Sequence, residues 1–193
     1  MATSGNTVTN VSAGKPAVLG AVFRAVVDEN LSIPTDATTS LGADFACLGY
    51  VSEDGLTNSN SPSVEKIKAW GGDTVLTTQS EKPDTFQFKL IEGLNVDVLK
   101  AVYGSENVTG DLETGITIEA NGAEGEEACF VFDMVLRGGV LKRIVVPDAK
   151  ISEIGDIQYQ DSDVFGYEVT IDAFADENGN THYEYIAGEG ASE

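Results

Sequence analysis

Few side chains in this sequence combine the chemistry and the spacing that catalysis or metal binding demands. The chain holds one histidine, His182, so any Ser-His-Asp or Cys-His arrangement must pass through it. No nucleophile motif surrounds it, and beside Tyr183 it reads as an exposed strand residue without a role. Asp176, Asn178 and Asn180 alternate like the first ligands of a calcium loop. Such a loop needs Gly at its sixth position and Glu at its twelfth, where this chain has Thr181 and Ala187. The segment therefore reads as a turn. Glu124, Glu126 and Glu127 crowd into one stretch, and carboxylates that face water keep ordinary pKa values unfit for acid–base work. Cys47 and Cys129 sit in separate apolar runs without the paired spacing of a zinc or redox site, and read as core residues. The glycine pairs at 71–72 and 138–139 lack the Lys and Ser or Thr of a phosphate loop. These residues point to no enzyme, metal or cofactor.

The elements that position these residues are mostly strands. Residues 17–27 form the first apolar run, and 43–51 the second, apolar on both faces and so expected in the middle of a sheet. Lys66, Lys68 and Trp70 alternate with Glu65, Ile67 and Ala69 up to Gly71 and Gly72, and Phe86, Phe88 and Leu90 alternate with Gln87 and Lys89. Residues 116–120 make a further strand. Phe130, Phe132, Met134 and Leu136 form an inward stripe opposite Val131, Asp133, Val135 and Arg137, and Gly138–Gly139 is read as a two-residue hairpin turn into 140–146. Tyr167, Val169, Ile171 and Ala173 alternate with Glu168, Thr170 and Asp172, with 181–186 expected as their partner strand across the Asp176 turn. One helix is predicted from Leu94, Val98, Leu99 and Val102, capped by Asn95 and ended by Gly104. Between the second and third strands, 52–63 reads as a polar loop containing Glu53, Asp54, Gly55, Leu56, Thr57 and Asn58, and loops of that length tend to be functional. The pattern predicts an all-β, mainly antiparallel sandwich or barrel-like domain over 17–187 with one short flanking α-helix. A flexible polar arm (1–16) and a short tail (188–193) flank it.

Charge narrows the function classes. The chain carries 32 Asp and Glu against 11 Lys and Arg, a net charge of −21. Residues 1–80 hold 8 acids and 4 bases and the remainder 24 and 7, so the net charge is −4 and then −17. Such a surface repels phosphate and argues against gripping nucleic acid, which relies on Lys and Arg displacing counterions. Solubility alone is the plainer account of the acidity. No stretch approaches the ~20 apolar residues of a membrane span, and the polar N-terminus lacks a signal sequence. The expectation is a soluble protein, made in the cytoplasm, with no membrane partner.

Three segments carry a resemblance. They are Leu48-Gly49-Tyr50-Val51-Ser52-Glu53-Asp54-Gly55, Ile67-Lys68-Ala69-Trp70-Gly71-Gly72-Asp73, and Thr85-Phe86-Gln87-Phe88-Lys89-Leu90-Ile91-Glu92 leading to Val102-Tyr103-Gly104. In that order the chain, over about 40–185, resembles the major tail tube proteins of phages with long non-contractile tails. The resemblance implies a non-enzymatic virion tail subunit of two packed sheets flanked by a helix. Six copies would form a ring, and rings would stack around a lumen through which double-stranded DNA passes without specific binding. Its partners would be itself and the tape measure, tail tip and tail terminator proteins. It also implies that the loop carrying Glu53 to Asn58 engages the neighbouring ring. Glu119, Asp133, Glu168 and Asp172, read as solvent-facing on their strands, become candidates for the lumen wall. The alternative is an acidic β-sandwich module that decorates a cell or virion surface and binds protein or glycan.

Overall fold

The computed structural model of the chain describes residues 5–18 and 20–188; the first four residues of the expected arm and 189–193 of the expected tail lie outside them. The described residues form thirteen strands and one α-helix. The first half holds β1 (Lys15–Pro16), β2 (Val22–Val26), β3 (Ala46–Cys47), β4 (Val51–Ser59), β5 (Ser63–Lys68), β6 (Thr74–Glu81), β7 (Thr85–Leu90) and α1 (Val96–Tyr103). The second holds β8 (Val108–Thr109), β9 (Thr117–Ile118), β10 (Ala128–Val135), β11 (Leu141–Ile154), β12 (Tyr167–Ala173) and β13 (Tyr183–Ala187). The all-β reading with a single short helix holds.

The main sheet is antiparallel in the order β3-β2-β10-β11-β12-β7-β4, with β1 extending the edge of β10 and β13 that of β11. Its inward residues make one core. Phe86, Phe88, Leu90, Phe130, Phe132, Tyr167, Val169 and Ile171 are all buried in the same cluster. Phe88 meets Phe132 edge to face at 5.3 Å and Phe86 stacks on Phe132 at 5.6 Å. In a flat sheet, three strand spacings would hold β7 and β10 about 14 Å apart. These contacts therefore require the sheet to curl into a barrel-like wrap. Helix α1 closes the wrap with Val98, Leu99, Ala101 and Val102. Its ends follow the sequence: Asn95 Oδ1 accepts from the Asp97 N–H at 3.0 Å, and Gly104 ends it at φ +95°. Leu94, expected in the apolar stripe, precedes the cap and is exposed.

A second, smaller cluster lies on the other face of β2, β10 and β11. Ala25, Cys129, Val131 and Val145 pack there under Phe45, Leu31 and Leu41. Arg143 fixes this cover. It grips Asp133 with two bonds (2.7 and 2.8 Å) and donates to the Asp36 and Thr39 carbonyls at 3.2 and 2.7 Å.

Several expected elements differ. The strand at 43–51 shrinks to β3 and lies at the sheet edge, not its centre. Gly49 turns the chain at φ +73°, where any Cβ would strike the Glu92 carboxylate 2.0 Å away. The 52–63 loop is largely strand β4, which pairs with β7 through Leu56↔Phe88 and Ser59↔Thr85. A polar edge strand needs few inward residues, and after Val51 at the start of β4, Leu56 alone supplies one within 52–59. Strand 116–120 contracts to β9, paired with β8 outside the main sheet. The β10–β11 turn spans Arg137–Gly139, closed by the Leu136 N–H on the Val140 carbonyl, one residue longer than read. β13 pairs with β11 and not with β12, because β11 and β7 already occupy both edges of β12. The expected arm is exposed throughout its described part, yet Lys15–Pro16 pair with β10 and Arg137 donates to the Val8 carbonyl.

Two measurements check this packing. Phe130→Ala removes a buried ring and should lower the unfolding free energy by about 3–5 kcal/mol in denaturant titration. A loss below 1 kcal/mol would contradict the closed core. Burial, with the Asp148 carboxylate nearby, pushes the Cys129 thiol pKa up to about 12. In a Cys47→Ser background, Cys129 should stay unreactive to thiol reagents at pH 8 until the protein unfolds.

Candidate assembly site

Strands β5 and β6 pair with each other and, among the described residues, with nothing else. Every residue from 61 to 83 is exposed, including Val64, Ile67, Val75 and Leu76, each about half exposed, and Trp70, fully so at the tip. Ile67 stands directly opposite Leu76, so one face presents a cross-strand apolar pair to solvent. The tip is closed by the Ala69 N–H on the Asp73 carbonyl and the Gly72 N–H on the Ala69 carbonyl. A two-stranded hairpin alone in water is marginally stable, and an exposed aromatic at its end is the kind of apolar surface that marks an interaction site. Residues 61–83 are also neutral, with Glu65, Asp73 and Glu81 against Lys66, Lys68 and Lys82, on a chain of net charge −21.

The root of the hairpin is tightly bonded. Asn58 is the last residue but one of β4, and Asp84 directly precedes β7. Asp84 is 4% exposed. Its Oδ1 accepts from Asn58 Nδ2 at 2.8 Å, and its Oδ2 accepts from Thr181 Oγ1 and faces His182 Nδ1, both at 2.5 Å. The Ala173 N–H donates to the Asp84 carbonyl at 2.9 Å. Burial alone would raise the Asp84 pKa; the bonds from Thr181, Asn58 and His182 outweigh it and hold the carboxyl below its ordinary value. His182 packs edge to face on Phe86 at 5.3 Å. The histidine read as exposed and without a role is thus half-buried in a carboxylate pair.

The residues singled out in the sequence scatter over this frame. Glu53, Asp54 and Gly55 are exposed at a register break in β4, where Gly55 adopts φ +73°. Leu56 reaches the core, Thr57 faces outward and Asn58 joins Asp84. They are strand leading into the hairpin, not a free loop. Of the four acids read as solvent-facing, Glu168 and Asp172 do share the outer face of β12. There Glu168 accepts from Gln87 Nε2 and Asp172 from Ser152 Oγ, both at 2.8 Å, and in register they stand opposite Lys89 and Lys150. Glu119 is exposed just past β9, outside the main sheet. Asp133 is a correction: it lies beneath the 36–39 segment, paired with the buried Arg143.

Two further acids depart from the sequence reading. Glu126, grouped with water-facing carboxylates, pairs with the buried Arg24 at 2.7 Å and accepts from the Ser105 N–H and Oγ–H. Burial would raise its pKa, but Arg24 and Ser105 hold it below the ordinary range. Glu124 is lowered by its bond and ion pair with Lys150. Asp176 does form a turn, accepting from the Asn178 and Asn180 N–H groups and from the Tyr183 hydroxyl. Among the described residues, no group of three or more His, Cys, Asp and Glu could hold a metal ion.

Asp84, Thr181 and the tip role of Trp70 escaped sequence reasoning. The available signal was Lys82-Pro83-Asp84, a charged residue set directly before the alternating core run at Phe86.

A family model described as phage tail tube protein matches residues 7–192, the hairpin and its root included. No curated protein matches the chain. The matched family is structural, not enzymatic, and implies a place in the virion tail, which sets the surface-module alternative aside. With a match over nearly its whole length, this chain belongs to the phage tail tube protein family.

Proposed function

We propose that the chain is the self-assembling subunit of the tube: copies close into rings, six to a ring, and rings stack into the conduit for DNA ejection. The observation that carries this reading is the hairpin β5–β6, which is exposed throughout and pairs with no other strand among the described residues. A ring interface is heterologous, one patch meeting a different patch on the next copy. A hairpin leaving one subunit and docking on another fits that geometry. Glu53 to Asn58, on the strand that feeds the hairpin, would act as its base and set where it leaves. Tape measure, tail tip and tail terminator proteins would cap or fill such a tube.

Magnitudes favour assembly over isolated pairs. Full burial of an aliphatic side chain contributes about 1.5–3 kcal/mol, and Val64, Ile67, Val75 and Leu76 are already about half covered. With the indole of Trp70, one docking event gains on the order of 5–10 kcal/mol. Association costs about 4–15 kcal/mol. One contact is therefore marginal; in a closed ring of six, six contacts offset five association steps, so the closing contact meets no further association cost.

For the passing duplex, Glu119, Glu168 and Asp172 are the lumen candidates; Asp133 is consumed within the subunit. Lys89 stands opposite Glu168, and Lys150, itself paired with Glu124, stands opposite Asp172, so those lysines leave that face no excess of positive charge. A wall without excess Lys or Arg releases no counterions from DNA and does not hold it, which suits passive passage.

Replacing residues 62–82 with a short Gly-Ser connection should leave a folded body with near-normal thermal unfolding and no tubes under negative stain. Trp70→Ala alone should raise the concentration needed for assembly by about tenfold or more, as loss of a central aromatic anchor does. Tubes formed as before by the folded deletion variant would remove the hairpin from assembly.

A further inference from the structure

Resting on the proposal that the hairpin mediates assembly, we propose that Asp84, with Asn58, Thr181 and His182, is a clip that sets the angle at which the hairpin leaves the body, and so positions Trp70 for its neighbour. None of these four residues lies within β5, β6 or the tip between them. Their role is positioning, exerted through the root.

The geometry is that of a clip. The Asp84 carboxylate joins three stretches far apart in sequence: the end of β4 through Asn58, the returning leg through Asp84 itself, and the connection before β13 through Thr181 and His182. Asn58 Nδ2 also reaches the Thr85 carbonyl at 3.1 Å, tying the outgoing leg to the start of β7. The returning leg is anchored to the body through the Ala173 N–H. Charge-assisted bonds to a buried carboxylate are about twice as strong as neutral ones and fix direction as well as distance. Three side-chain donors on one carboxylate leave it little freedom to turn.

A lever makes that rigidity matter. The eight residues of β6 extend about 26 Å at strand rise. A tilt of about 10° at the root then carries Trp70 by about 4–5 Å, whereas the contacts of a packed side chain are lost over about 1 Å. The ladder bonds from β4 to β7 and from β7 to β12 do not depend on the carboxylate, so losing the clip should loosen the hairpin before it opens the body.

The test is a distance measurement in the unassembled subunit, with spin labels at Trp70→Cys and Leu112→Cys in a Cys47→Ser background. The clip predicts a narrow distance distribution that broadens at least twofold in Asp84→Asn. In unlabelled protein, the same substitution should raise the concentration needed for tubes by about tenfold or more. Thr181→Val, which removes one donor and keeps the carboxylate, should shift both readouts in the same direction by less, and serves if Asp84→Asn does not fold. An unchanged distribution in a folded variant overturns the clip; a broadened one with unchanged tube formation, where deleting the hairpin abolishes tubes, overturns its role in positioning Trp70 for the neighbour. The distances are read on free subunits, so they judge the clip even if deleting the hairpin proves it dispensable for assembly.

Discussion

The contact of Phe86 and Phe88 with Phe132 is the constraint from which the rest follows. It draws β7 across to β10 and makes the sheet wrap one core, with β11 and β7 filling both edges of β12. Once the body is closed, β5 and β6 have no interior face to cover and no central position to enter. The hairpin is therefore surplus to the fold of one subunit. Its half-exposed Val64, Ile67, Val75 and Leu76 and its bare Trp70 make sense only where another surface completes them. The proposed assembly rests on that division of labour, with a body closed on its own core and a hairpin left for a neighbour to complete.

The acidity divides along the same line. The two buried arginines are spent inside the subunit, Arg24 on Glu126 and Arg143 on Asp133 and the 36–39 segment, while the exposed Arg137 reaches the Val8 carbonyl. Each joins parts of the chain that local propensity could not bring together. Breaking a buried pair by removing one partner typically costs about 3–5 kcal/mol, so Arg24 and Arg143 specify the arrangement even if apolar replacements could match its stability. What remains for the surface is mostly lysine and excess carboxylate. The surface is thus rich in carboxylate and poor in guanidinium groups, which match a phosphate best.

Period and capping were legible in the sequence; partnership was not. The alternation at Phe86-Phe88-Leu90 and Tyr167-Val169-Ile171, and the helix between Asn95 and Gly104, follow from local rules that the fold had no reason to override. β4 was hidden because an edge strand with few inward residues looks like a polar loop, and Asp54-Gly55 looks like a turn where it is a bulge. The partner of β13 was hidden because it depends on which edges were already filled. His182, Glu126 and Asp133 were misread for one reason: whether a charged side chain is exposed depends on what packs over it, and their partners lie 98, 102 and 10 residues away.

The central claim is that the hairpin is completed by another copy. Amide hydrogen exchange, residue by residue, tests it most directly in free subunits and in assembled tubes. The account predicts that amides of β10 and β11 are protected in both states, while those of β5 and β6 exchange rapidly in the free subunit and become protected in the tube. Equal protection of β5 and β6 in the two states would contradict it.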